Sequence, residues 1–322
     1  MTPAPRIDLH RHLDGNIRTR TILELADKNG VTLPAVDEEG LRPHVSITST
    51  QPSLVEFLEK FQWSIAVLKT PDDCRRVAYE NVEDAGNENL DYVELRFSPG
   101  FMGSAHGIHP RAVAEAVLDG IAAGVRSFKT PVNAIGVLSR TFGPSGCETE
   151  LDALLSVRSR LVAIDLAGDE AGFPPHLFTH HFDRVREFGL GVTIHAGEAA
   201  GPQSIWDAIQ LLGATRIGHG VRAMEDPELL DFLGENRIGI ECCPTSNVQT
   251  SAVTGFESHP LRAFLERGLL ATVNTDDPGI CGVRLDDEIR VARECCGLDA
   301  GQIAQCARNA RTIAFTAPAT RT

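Results

Sequence analysis

The chain has 322 residues, 42% of them hydrophobic and 23% charged, with 44 acidic against 30 basic side chains and a net charge of −14. This is a globular composition, and it excludes a disordered or fibrous chain. Its acidity, with no cluster of Lys and Arg, argues against nucleic acid as a partner and leaves a small neutral molecule as the fitting substrate class.

No run of 18 apolar residues occurs, so no membrane-spanning helix is expected. No basic-then-apolar leader precedes the first patterned segment, and a cytoplasmic protein is expected. The eight cysteines include the adjacent pairs Cys242-Cys243 and Cys295-Cys296 but no C-x-x-C. They read as reduced thiols and argue against thiolate-bound zinc.

In chain order, short β-branched runs alternate with longer amphipathic stretches. The first run, residues 6–12, ends in Asp8-Leu9-His10-Arg11-His12. Strand side chains two apart share a face, so His10 and His12 project together, which lets two imidazoles hold one metal ion. Alone, the pattern fits two surface histidines equally well. Residues 13–90 predict a helical insertion. There Ser53-Leu54-Val55-Glu56 is a capping box, and Leu54, Leu58, Phe61, Ile65 and Leu68 share one helical face. Thr70-Pro71 supplies an N-cap and an N1 proline for the next helix.

Further strands are predicted over 92–98, 132–139, 161–167, 191–195, 216–219, 238–242 and 270–275, with helical stretches such as 110–127, 148–159, 175–188, 203–212 and 226–235 between them. Alternation predicts a parallel sheet, and eight units predict an α/β chain folded as one (β/α)₈ TIM-barrel domain over residues 1–322. An open doubly wound sheet is the runner-up, weakened by the lack of a Gly-x-Gly-x-x-Gly turn. An insertion after the first strand falls on the catalytic face, either as a lid or simply packed on the barrel. Residues 316–322 are unpatterned and expected to fray.

The remaining chemistry lies at strand ends. His195 and His219 close the fifth and sixth runs, and Asp276 and Asp277 follow the eighth. In a barrel these positions converge with His10 and His12 on one mouth. Nitrogen and carboxylate donors fit zinc, with iron or manganese also accommodated, and such a metal lowers the pKa of a water. Glu198, one short turn beyond His195, is placed as a general acid. The residues alone thus reach metal-assisted hydrolysis and name no substrate.

Five segments, taken together, carry a resemblance. They are Asp8-Leu9-His10-Arg11-His12-Leu13-Asp14-Gly15, Asp165-Leu166-Ala167-Gly168-Asp169-Glu170, His195-Ala196-Gly197-Glu198, Arg216-Ile217-Gly218-His219-Gly220 and Asn274-Thr275-Asp276-Asp277-Pro278. In this order they resemble the signatures of the adenosine deaminases of the amidohydrolase superfamily, most closely the bacterial type. The resemblance implies hydrolysis of adenosine, and of 2′-deoxyadenosine, at C6 with release of ammonia. It implies one zinc ion per chain on His10, His12, His195 and Asp276. His219, aided by Asp276, would orient and deprotonate the water, and Glu198 would protonate N1. Asp277 would bind N7, the Gly168 N–H would reach N3, and Asp14 would bind a ribose hydroxyl. Phe57, Leu58 and Phe61 match an apolar gate over the purine, with plain helix packing as the alternative.

Other residues are set aside. His180-His181 reads as surface, and His44, His106, His109, His176 and His259 match no motif. Arg96 and Arg140 follow strands, and pairing with buried carboxylates, with Glu94 a candidate partner, fits them at least as well as a catalytic role. Thr245-Ser246-Asn247 resembles a family segment, but helix capping explains it equally well. The nearest rival function is deamination of adenine or another 6-aminopurine; related adenine deaminases tend to carry Glu where this chain has Asp14. A two-metal amide or phosphoester hydrolase would carry a bridging lysine after the fourth strand, and none occurs in 161–168. A non-catalytic decayed barrel would have lost the acid or a ligand first.

Overall fold

The computed structural model describes residues 4–51 and 53–315. Eight strands run in chain order around one sheet: β1 (Ile7–His12), β2 (Tyr92–Phe97), β3 (Val132–Ser139), β4 (Ala163–Ala167), β5 (Gly191–Ala196), β6 (Arg216–His219), β7 (Gly239–Cys242) and β8 (Leu270–Val273). All neighbouring pairs are parallel. The seam between first and last closes just beyond β8. There the His12 amide donates to the Asp276 carbonyl at 2.7 Å, and the Asp276 amide to the His10 carbonyl at 2.8 Å. The fold is therefore the expected (β/α)₈ barrel. Arg6, Ser98, Leu161, Val162, Ile238, Asn274 and Thr275, expected in strands, fall outside them.

Helices cover the outer face and side chains fill the barrel, so the strands are buried on both sides and read as apolar runs rather than alternating ones. Ile164, Ile194, Ile217, Ile240 and Ala271 are fully buried. The pairing of β1 with β2 shifts register between Asp8 and Arg11, an extra residue beside His10.

The segment between β1 and β2 is helical, as expected, with helices at Thr19–Asn29, Glu38–Val45, Leu54–Leu58, Gln62–Ala66 and Pro71–Asn87. Thr70 and Asp73 form a reciprocal capping box at the last of these. The apolar stripe from Leu54 to Leu68 is not one helix: a 3₁₀ turn at Glu59–Phe61 breaks it. Buried side chains of the insertion and the barrel belong to one contiguous apolar cluster.

The barrel centre carries buried charge. Arg96 pairs with Asp165 and Glu241, each at 2.8 Å, and Arg216 with Glu94 and Glu241, each at 2.6 Å. Glu94 is thus a buried partner, of Arg216 rather than Arg96. Arg140 departs from expectation: its guanidinium donates to the carbonyls of Leu166, His195 and Phe173, and no carboxylate forms an ion pair with it among the described residues. Backbone carbonyls, two of them in strands, take its terminal N–H groups instead, and its Nε has no partner.

His181, expected at the surface, is buried on the inner face of the helix Thr179–Glu187 beside Phe182 and Val185. Its Nε2 lies 2.9 Å from the Pro144 carbonyl. All eight cysteines are free, and only Cys295 is exposed. Among the described residues no helix is long and apolar enough to cross a membrane. The fraying expected of residues 316–322 lies outside the described residues.

Candidate active site

Parallel strands end at the same mouth, and each site side chain sits at or just past a strand end. The rings of His10 and His12 lie 5.4 Å apart, and those of His10 and His195 4.6 Å apart. His219 and Asp276 have left-handed backbones, with φ of +64° and +62°. That conformation costs a non-glycine residue about 1–3 kcal/mol and is tolerated where the surroundings over-determine it.

The histidines are oriented from behind. Glu241 Oε2 lies 2.8 Å from His10 Nδ1, and Asp165 Oδ2 lies 3.0 Å from His195 Nδ1. A carboxylate at Nδ1 takes the N–H of the neutral ring and leaves the lone pair on Nε2. His10 Nε2 has no hydrogen-bond partner and faces Asp276 Oδ1 at 3.1 Å. His195 Nε2 meets His12 Nε2 at 3.1 Å, and His12 Nε2 lies 3.5 Å from Asp276 Oδ1. Electron-rich atoms converging this closely in a buried space fit a shared divalent cation. A donor set of imidazole and carboxylate without thiolate fits zinc.

Of the four residues expected as ligands, His10, His195 and Asp276 fall in one compact group of donor atoms, and its fourth member is His219 rather than His12. Ligand atoms of His10, His195, His219 and Asp276 all lie within 4.8 Å of one another, so His219 is closer in than expected. His12 sits at the rim, with its side chain 12% exposed. His219 Nε2 faces Glu198 Oε2 at 3.5 Å, and its Nδ1 lies 2.9 Å from the Asn247 side-chain amide.

One cavity adjoins the cluster. His12, Asp14, Gly168, His195, Glu198, His219, Asp276 and Asp277 line it, with an apolar wall that includes Leu54, Phe57, Leu58 and Phe61. No Lys or Arg lines it. Gly168 has φ of +109°, and a Cβ there would come within 2.6 Å of Thr141 Oγ1. A Cβ at Gly15 would lie 1.7 Å from Asp277 Oδ1. Glycine is therefore required at both places for the backbone to approach so closely.

The carboxyl groups divide by environment. Burial pushes Glu198 up, against the pull of His219, with Asp276 and Glu170 adding to the rise. Burial and the neighbouring Asp276 push Asp277 well above the usual range. Burial also acts on Asp276, but His219, His10 and His12 outweigh it and hold Asp276 well below. The His12 ring is disfavoured by burial, yet Asp277, Asp14 and Asp276 raise it to about 9, so the site favours positive charge at its centre.

Some functional groups were not legible as such. Ser246 donates to Asp276 Oδ2 at 2.6 Å, and Asn247 sits between His219 and His259 Nε2, the latter at 3.1 Å. Helix capping is thereby ruled out for Thr245-Ser246-Asn247, since the N-cap of the helix Pro244–Gln249 is Cys243. Thr250 donates to Glu198 Oε1 at 3.1 Å. Asp165 and Glu170 stood inside a recognised motif, which was the signal available for them.

Comparison with known proteins agrees with this geometry. The family model described as adenosine deaminase matches residues 5–322. An adenosine deaminase of Vibrio parahaemolyticus is 57% identical over 315 residues, covering 98% of this chain and 94% of that protein. Among solved structures, an adenine deaminase from Arthrobacter aurescens superposes with a TM-score of 0.90 at 29% identity, covering 98% of this chain and 94% of that one. An amidohydrolase from Burkholderia ambifaria with bound Zn gives 0.86 at 25% identity, covering 97% and 86%. The chain belongs to the adenosine deaminase family.

Proposed function

We propose that the chain hydrolyses adenosine and 2′-deoxyadenosine to inosine or deoxyinosine and ammonia, in the cytoplasm, with one zinc ion held by His10, His12, His195 and Asp276. The observation that carries the reading is a pair of carboxyl groups, Glu198 and Asp277, both pushed up and both lining one cavity beside a nitrogen-rich donor cluster. A purine presents lone-pair acceptors at N1, N3 and N7, so a protonated carboxyl is the complementary group. Zinc, when bound, lowers the pKa of a water toward neutrality.

The chain supplies the rest. Glu198 holds a proton and delivers it to N1, drawing electron density off the ring so that C6 becomes electrophilic. His219, fixed by Asn247, orients the attacking water and takes its proton, with Asp276 alongside. Asp277 donates to N7, and the Gly168 N–H turns to N3. Asp14 Oδ1, buried and without a hydrogen-bond partner, accepts from a ribose hydroxyl. Leu54, Phe57, Leu58 and Phe61 exclude water over the base. A cavity lined by acids and by no Lys or Arg favours a neutral nucleoside over a nucleotide.

The test is ammonia release from adenosine and from adenine by the zinc-loaded protein, with Glu198→Gln and Asp14→Ala as variants. We expect turnover of adenosine and not adenine. Glu198→Gln should lose about 10²–10⁴-fold in kcat, and Asp14→Ala should raise KM for adenosine. Release from adenine alone would refute the role of Asp14.

A further inference from the structure

Glu170 is a buried carboxylate that, among the described residues, hydrogen-bonds to no side chain lining the cavity and yet holds the loop carrying Glu198. It lies past β4 and is 2% exposed. Four successive backbone amides of the loop after β5 converge on it. Gly197 N donates to Oε1 at 2.7 Å, and Glu198 N, Ala199 N and Ala200 N donate to Oε2 at 3.1, 2.7 and 2.9 Å. The Ser204 hydroxyl completes the set at 2.5 Å to Oε1.

A loop of this kind has no sheet partner for its amides, and a single carboxylate satisfies all four. Gly197, with φ of +71°, starts the turn that presents them. The Glu198 backbone is thereby fixed from below while Thr250 contacts its carboxyl group from above. Proton delivery to one ring nitrogen is sensitive to placement, and a shift of about 1 Å costs on the order of 10²-fold.

We infer that Glu170 is the positioning residue for Glu198: it clamps the amides of residues 197–200 and so sets where the acid's proton is delivered. The inference rests on the reading of Glu198 as the general acid. The amide of a glutamine would turn N–H groups toward backbone N–H groups, so Glu170→Gln removes part of the clamp with no change in size.

The experiment compares wild type, Glu170→Gln, Glu198→Gln and the double variant, measuring kcat and KM for adenosine and zinc per chain. Glu170→Gln should lower kcat about 30-fold, with KM within about threefold and zinc content as in wild type. In the Glu198→Gln background the same change should cost under about twofold, because a residue that acts only through Glu198 has nothing left to position. Losses that multiply in the double variant, a loss that follows zinc content, or an unchanged kcat would each overturn the inference. Full activity in Glu198→Gln would instead overturn the acid reading beneath it. Ser204→Ala removes one donor to Glu170 Oε1 and should lower kcat a few-fold at constant KM. If Glu170→Gln does not fold, an unchanged kcat in Ser204→Ala decides against the clamp.

Discussion

Asn247 shows how much of a site can rest on a side chain with no reacting atom. Its amide spans two buried rings, 2.9 Å from His219 Nδ1 and 3.1 Å from His259 Nε2. Burial lowers the His259 ring to about 3, so it stays neutral and acts as a fixed partner rather than a charge. Replacing Asn247 by Leu keeps the volume and leaves His219 Nδ1 and His259 Nε2 without a partner, at a cost of about 1–3 kcal/mol for each stranded group. Asn247→Leu should reduce kcat at least about tenfold through the loosened His219, read by steady-state kinetics at matched zinc content. Unchanged kcat would assign Asn247 to packing alone. The sequence made His10, His12, His195, His219, Glu198, Asp276 and Asp277 visible because strand ends and family motifs coincide there. Asn247 and His259 were not visible as a pair, since no motif links a helix residue to a loop histidine twelve positions on: the folding back of the segment between β7 and β8 brings them together.

At the scale of elements, the strands were legible because each is a short β-branched run buried on both faces, and only their limits shifted. The insertion was legible as helical but not as interrupted. The turn at Glu59–Phe61 has no proline or glycine to announce it, and it points Phe61 toward Phe101, ring centroids 5.6 Å apart. Phe57 and Phe61 are buried and also line the cavity, so packing and gating are served by the same side chains. Phe61→Leu separates the two. It retains an apolar side chain of similar bulk, so the melting temperature should fall only slightly, by the equivalent of about 1 kcal/mol. The lost aromatic wall should raise KM for adenosine several-fold while kcat stays within about threefold. An unchanged KM would leave Phe61 a packing residue.

For the whole molecule, a barrel that buries so many carboxyl groups makes its stability depend on pH. Burial raises Asp8 to about 6, Glu150 to about 7 and Glu288 to about 8. Each holds a proton in the folded chain at pH values where the unfolded chain has released it. Stability from such a group is complete below its ordinary pKa and is lost as pH rises to the folded value. Below about pH 6.5 the opposite contribution of His10, His195 and His259 interferes, because these rings, lowered on folding, must lose protons. Between about pH 6.5 and 8 they become neutral in both states, and the remaining slope belongs to Glu288, part of Glu150, His12 and the raised site carboxyls Glu198 and Asp277. Glu288 accepts from the Thr245 amide at 3.2 Å through Oε2, and its Oε1 has no partner, so a neutral group suits the site. Denaturant unfolding of the zinc-stripped protein should therefore show stability falling from pH 6.5 to 8. Glu288→Gln should flatten that fall by about 2 kcal/mol, the value of a 1.5-unit interval. A wild type and a variant with equal slopes across this interval would mean that Glu288 is already ionised at pH 6.5 in the folded chain.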